Sequence, residues 1–165
     1  MKKIFTIILS VVIGLNLSVK VWGQVNISEG NTITQDFNIM GTSETATLPA
    51  GWKVDNDKSP RIVGTYSNAS TSTTKNAGNN MPTNASHGIY NYGAGPDSSA
   101  TDRAIGGLSS NSGSKSVNIY VQLKNNGSTD INSFTISYDV EKYRKGSNSA
   151  GFTIQMYYST NGTNW

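Results

Sequence analysis

The chain has no cysteine and a single histidine among its 165 residues. Without thiols no disulfide can staple the fold, so an exported domain of this kind relies on core burial or on a metal. With only His87, a zinc site of the usual histidine and cysteine type is short of ligands. A Ser-His-Asp triad is recognised by geometry that a lone histidine does not announce, and no nucleophile-elbow motif accompanies this one. His87 therefore reads as an exposed or edge residue. Charge is scarce as well, at 14% of residues. Asn, Ser, Thr and Gly fill the space instead, a composition that suits strands and turns and disfavours helices. No amphipathic helix and no fixed-period repeat stands out.

The one long apolar run lies at the start. Met1-Lys2-Lys3 is basic, 4–17 is apolar apart from Thr6, Ser10 and Asn16, and Val21-Trp22-Gly23 precedes Gln24. That is the layout of a secretory signal peptide, 1–23, cleaved between Gly23 and Gln24. The run is shorter than the about 20 residues that span hydrocarbon, so no membrane insertion is expected after cleavage. The expected address is secreted or cell surface. Three of the 13 basic residues, Lys2, Lys3 and Lys20, lie in that segment, and the rest balance the 10 acidic ones. The basic pI thus belongs mainly to the leader. It is no nucleic-acid footprint, which needs basic residues clustered on the folded domain.

The remainder, 24–165, has the length of one domain with one core. Its clearest stretch is 117–158. Val117, Ile119, Val121 and Leu123 alternate with polar neighbours, as do Phe134, Ile136, Tyr138 and Val140, and then Phe152, Ile154, Met156 and Tyr158. Successive strand side chains point to opposite faces, so each run offers one apolar face. Turn clusters at 124–130 and 144–151 separate them, which predicts an antiparallel meander. Further strands are expected near 32–38, 61–66, 87–93 and 103–108. Pro49 and Gly51 form a turn that delivers Trp52 to a sheet edge or core rim. Residues 67–86 read as a long surface excursion. The predicted fold class is all-β: an antiparallel β-sandwich of jelly-roll type. Asn161-Gly162 is a hairpin signal, and Trp165 would open the returning strand. The expectation is a truncated domain whose last strand or strands are missing.

Four further chemistries come into question. Asp139 and Glu141 sit two apart on one predicted strand, compatible with the short end of the about 5–9.5 Å that separates glycosidase carboxylates. Lys142, Arg144 and Lys145 follow at once, and solvated salt links explain the cluster more simply. Asp55-Asn56-Asp57, or Asp97 with Asp102, offers oxygen ligands for calcium, against ordinary turn chemistry. Gly93-Ala94-Gly95 is a turn without a phosphate-loop pattern. Saccharide binding has the best physical case. The polar face of the predicted meander carries Tyr120, Tyr143 and Tyr157 among Asn118, Gln122, Thr135, Ser137, Asp139 and Gln155. Flat aromatics beside amides and carboxylates can stack on a sugar ring and bond its hydroxyls. Cross-strand tyrosine pairing on a solvated sheet is the competing explanation.

Several segments carry a family resemblance: Leu48-Pro49-Ala50-Gly51-Trp52, Ala100-Thr101-Asp102-Arg103-Ala104-Ile105-Gly106-Gly107-Leu108, Asn125-Asn126-Gly127-Ser128, Phe134-Thr135-Ile136-Ser137-Tyr138, and Tyr157 through Asn161-Gly162 to Trp165. In these the chain resembles a module near the N-terminus of secreted Bacteroidetes multidomain proteins. Many of those end in a type IX secretion sorting domain, and some carry lamin-tail, nuclease or phosphoesterase domains. The resemblance implies an extracellular or cell-surface β-rich accessory module, with downstream domains of the same protein as neighbours and no catalytic residues to transfer. Three functions follow as expectations: a non-catalytic module that binds glycan or polysaccharide, a spacer presenting a downstream secreted hydrolase, and, weaker, carboxylate chemistry at Asp139 and Glu141.

Overall fold

A computed structural model of the chain describes residues 23–79, 81–82, 84–110, 113–144, 149 and 151–165. Nearly all of the expected leader and much of the expected turn at 144–151 lie outside them. The architecture is mostly β, with no α-helix among the described residues. The described residues form seven strands: β1 (Val25–Ile27), β2 (Trp52–Asp57), β3 (Lys75–Ala77), β4 (Gly88–Gly93), β5 (Arg103–Leu108), β6 (Ser116–Val121) and β7 (Leu123–Asn125). They form three small sheets. β1 pairs with β7 in parallel, β2 with β6 antiparallel, and β4 lies between parallel β3 and antiparallel β5.

β4 is the central strand, and all six of its positions are buried. Alternation sends Ile89 and Asn91 to one face and Tyr90 and Tyr92 to the other. On the first face Ile89 joins Met40, Ala46, Leu48 and Val54, with Phe37, Trp52, Ile105 and Val117 packed around them. β2, β4, β5 and β6 thereby share one core. Tyr90, Tyr92 and Ala77 form a second cluster with Ala104, Leu108 and Tyr143. Asn91 and Arg103 are buried polar residues, and their hydrogen bonds explain how they are tolerated. Arg103 Nε donates to Asn91 Oδ1 at 2.8 Å, and Asn91 Nδ2 donates to the carbonyls of Gly41 and Ser43. The turn around the short 3-10 segment Asn38–Met40 is thus tied to the central sheet.

The expected strands at 87–93 and 103–108 form as β4 and β5, and Trp52 opens β2 at the core rim, as the turn at Pro49 and Gly51 requires. Gly51 is needed there. Its φ is +85°, and a Cβ would lie 2.9 Å from the backbone nitrogen of Val25. The run from Val117 to Leu123 is split at Gln122, which donates to Gly51 and accepts from Val25. The chain there leaves β2 and pairs with β1 instead.

Several expectations need correction. No strand forms at 32–38 or 61–66. The stretch 67–86 is not merely a surface excursion: it contains β3, and Ala69, Thr73 and Ala77 are buried. The meander over 117–158 does not form, because the runs 134–140 and 152–158 join no ladder among the described residues and their apolar side chains are exposed. A strand needs a neighbour to satisfy its backbone groups. Alternation specifies the faces of a strand without supplying that neighbour.

Candidate functional site

The antiparallel register of β2 and β6 sets Asp55 opposite Asn118 and Lys53 opposite Tyr120, on the face away from Val54. Asp55 accepts from Asn118 Nδ2 at 2.6 Å and from the Tyr120 hydroxyl at 2.7 Å. That hydroxyl accepts in turn from the backbone N–H of Gly64 at 2.9 Å. Asn118 also donates to the carbonyl of Ile62, so the 61–66 segment lies along the sheet. Only glycine fits at position 64, where a Cβ would stand 2.3 Å from Asp55 Oδ2. Burial, followed by the bond to Asp55 and its negative charge, pushes the Tyr120 phenol well above the ordinary tyrosine range. Buried Lys53 reaches the carbonyls of Tyr66 and Ser67 and sits 4.6 Å from the Tyr66 ring centre. Its pKa is lowered by burial.

The C-terminal residues close over this network. Ser159 Oγ accepts from Gly162 N–H, and Asn161 Oδ1 accepts from the N–H groups of Thr163 and Asn164, which turns the chain. Tyr66 N–H donates to the Gly162 carbonyl. Trp165 Nε1 donates to the Gly64 carbonyl at 2.7 Å, and its ring lies 5.3 Å from that of Tyr120. The Asn161-Gly162 signal thus marks a turn, and the Trp165 ring lies against Tyr120 of β6. Beside it is an open depression of about 370 Å3, lined by Met156, Tyr157, Tyr158, Ser159, Thr160, Asn164 and Trp165.

The residues expected to share one sugar-binding face fall in separate places. Tyr120 and Asn118 belong to the Asp55 network, and Tyr120 is only 4% exposed. Tyr157 lines the depression whose Trp165 wall rests on Tyr120. Tyr143 lies elsewhere, in a stack in which its ring is 4.6 Å from Tyr92, itself 5.1 Å from Tyr90. Its hydroxyl donates to Glu141. Burial first, and then that carboxylate, pushes its pKa above the ordinary range. Gln155 and Asp139 are exposed on the runs that join no ladder. Asp55, Gly64 and Trp165 are the contributors that sequence reasoning missed. Asp55 looked like part of a turn, whereas it is a strand residue whose partner lies far along the chain.

Two of the calcium candidates, Asp55 and Asp57, have carboxylate oxygens engaged in hydrogen bonds. Both oxygens of Asp55 accept hydrogen bonds, and Asp57 Oδ1 accepts from Ser59 N–H. Among the described residues no three of His, Cys, Asp or Glu gather where they could hold a metal ion. His87 is exposed, and its ring lies where a side chain on Gly113 would stand. Among the described residues no helix is long and apolar enough to cross a membrane. No protein-family model, curated protein or solved structure matches the chain.

Proposed function

We propose that the chain is a non-catalytic accessory β module of the cell surface or exterior that binds saccharide in the depression between Tyr157 and Trp165. One observation carries this reading: Tyr157, Tyr158 and Trp165 line an open surface hollow together with the polar residues Ser159, Thr160 and Asn164. Aromatic faces with a few polar groups at their margin suit a sugar ring, which is apolar on its faces and hydroxylated at its rim. Trp165 is braced from behind by Tyr120 and Gly64, so the wall is held before a ligand arrives. Pre-organisation of that kind lowers the entropic cost of binding. Within the same reading the sheets belong to a jelly-roll-like sandwich, supported by the core that β2 and β6 share with β4 and β5. Export rests on the signal-peptide layout of 1–23.

The spacer reading, in which the module presents a downstream secreted hydrolase, draws on a different observation. Asn118, Tyr120 and Tyr143 spend their polar atoms on internal partners. Affinity electrophoresis through gels containing soluble polysaccharides, with a glycan array beside it, separates the two. Binding should fall at least tenfold, about 1.4 kcal/mol, in Tyr157→Ala. It should persist in Tyr143→Ala. Retardation unchanged in Tyr157→Ala and Trp165→Ala would remove the depression as a site.

A further inference from the structure

We propose that Asn126 is a site of spontaneous covalent modification, where the chain closes a succinimide and reopens as an isoaspartyl link, and that the fold spares Asn161, which has the same neighbour in sequence. The chain has two Asn-Gly pairs, Asn126-Gly127 and Asn161-Gly162. Glycine has no Cβ, so its backbone nitrogen is the least hindered nucleophile that a preceding asparagine can meet. In the reaction the Gly127 nitrogen gives its proton to hydroxide and attacks Asn126 Cγ. The new C–N bond forms, the bond from Cγ to Nδ2 breaks, and Nδ2 leaves as ammonia with a proton taken from water. Water then opens the imide. Where it attacks the backbone carbonyl carbon, the chain is left running through Cβ and Cγ, with a free carboxylate beside it. No oxidant or reductant takes part.

Exposure does not separate the two sites, since both asparagines are exposed. Hydrogen bonding does. Asn161 Oδ1 accepts from Thr163 N–H at 3.0 Å and from Asn164 N–H at 2.9 Å, and the attacking Gly162 N–H is itself held by Ser159 Oγ at 2.9 Å. These bonds fix the Asn161 carboxamide in the turn and must open before Cγ can swing onto the Gly162 nitrogen. Opening two of them at ordinary net strength slows the step at least about tenfold. The Asn126 carboxamide has no hydrogen-bond partner among the described residues, and Gly127 N–H meets only the exposed side chain of Asn125, at 2.9 Å. The product bears on β1, whose strand partner is β7. Asn126 N–H donates to the Ile27 carbonyl at 3.0 Å and so continues that pairing past Asn125. An isoaspartyl link inserts a methylene carbon just after Asn126 Cα. It also adds a carboxylate to a loop to which Glu29 is already bonded through Thr129 Oγ1. β1 is the element that loosens.

Timed incubation of the folded protein in mildly alkaline buffer tests it, with peptide mapping by mass spectrometry and enzymatic methylation to count isoaspartate. Conversion at position 126 should run at least about tenfold faster than at position 161. In urea the two rates should converge, because the Asn-Gly pair is shared and the turn is gone. Asn126→Gln, which would need a ring one atom larger, should abolish conversion there and leave the fold intact. Ser159→Ala should speed conversion at 161 and leave 126 unchanged. Hydrogen exchange in Val25–Ile27 should quicken in step with isoaspartate at 126. Equal rates in the folded protein, or a faster Asn161, overturn the proposal. So does a difference that persists in urea, since it would then come from flanking residues and not from the fold.

Discussion

Removing one oxygen from Tyr120 should loosen both the 61–66 segment and the wall of the depression. The Tyr120 hydroxyl donates to Asp55 at 2.7 Å and accepts from Gly64 N–H at 2.9 Å. In Tyr120→Phe the ring keeps its buried position, so no large cavity opens. What is lost is one hydrogen bond to a carboxylate, about 1.5–3 kcal/mol, and the acceptor for a half-buried N–H, about 1 kcal/mol. Asp55 keeps Asn118 Nδ2 at 2.6 Å, which limits the damage. The expected destabilisation is therefore about 3 kcal/mol, a large share of the about 5–15 kcal/mol that holds a domain of this size. With a urea m-value of about 2 kcal/mol/M, the midpoint should fall by about 1.5 M at unchanged slope. Asp55→Asn in a double-mutant cycle should show a coupling of about 1–2 kcal/mol with Tyr120→Phe. Saccharide binding should weaken in the single variant, because the Gly64 carbonyl that holds Trp165 loses its anchor. A midpoint shift below about 0.3 M, or strict additivity in the cycle, would refute the reasoning.

Other outcomes follow from the same geometry. Asn91→Ala should cost about 3–5 kcal/mol in urea unfolding, because buried Arg103 Nε loses its acceptor and the Gly41 and Ser43 carbonyls lose their donor. Gly51→Ala forces a side chain into a left-handed position and onto the Val25 backbone nitrogen, so a loss of about 1–3 kcal/mol and faster hydrogen exchange in β1 are expected. The phenols of buried Tyr92 and Tyr120 and of half-buried Tyr143 hold their protons more tightly than ordinary tyrosines. The unfolded chain then releases protons first. The stability these groups contribute is complete below about pH 10 and declines above it, measurable by denaturant midpoints alongside a phenolate absorbance titration.

Some of this was legible in the residues alone. Burial in β6 runs against its apolar alternation, with Ile119 44% exposed and Tyr120 buried, but the turn at Pro49 and Gly51 and the strands at β4 and β5 depend on neighbours close in sequence. Local steric rules suffice to read them. The runs at 134–140 and 152–158 obey the same rules and nevertheless join no ladder among the described residues. Tyr143 shows the limit for the site: its place in a regular pattern suggested company with Tyr120 and Tyr157, and it stacks on Tyr92 instead.

The sequence by itself determined a chain rich in β-strands and turns, built without disulfides and with little charge, because residue type and two-residue alternation act over a few positions. Only the tertiary structure decided which faces are covered. It set Asp55 against Tyr120 and laid Trp165 on the Tyr120 ring and the Gly64 carbonyl. The two hydrogen bonds join residues 65 and 101 positions apart. Strand partners, burial and hydrogen-bond closure are properties of the whole packed chain, and no local pattern carries them.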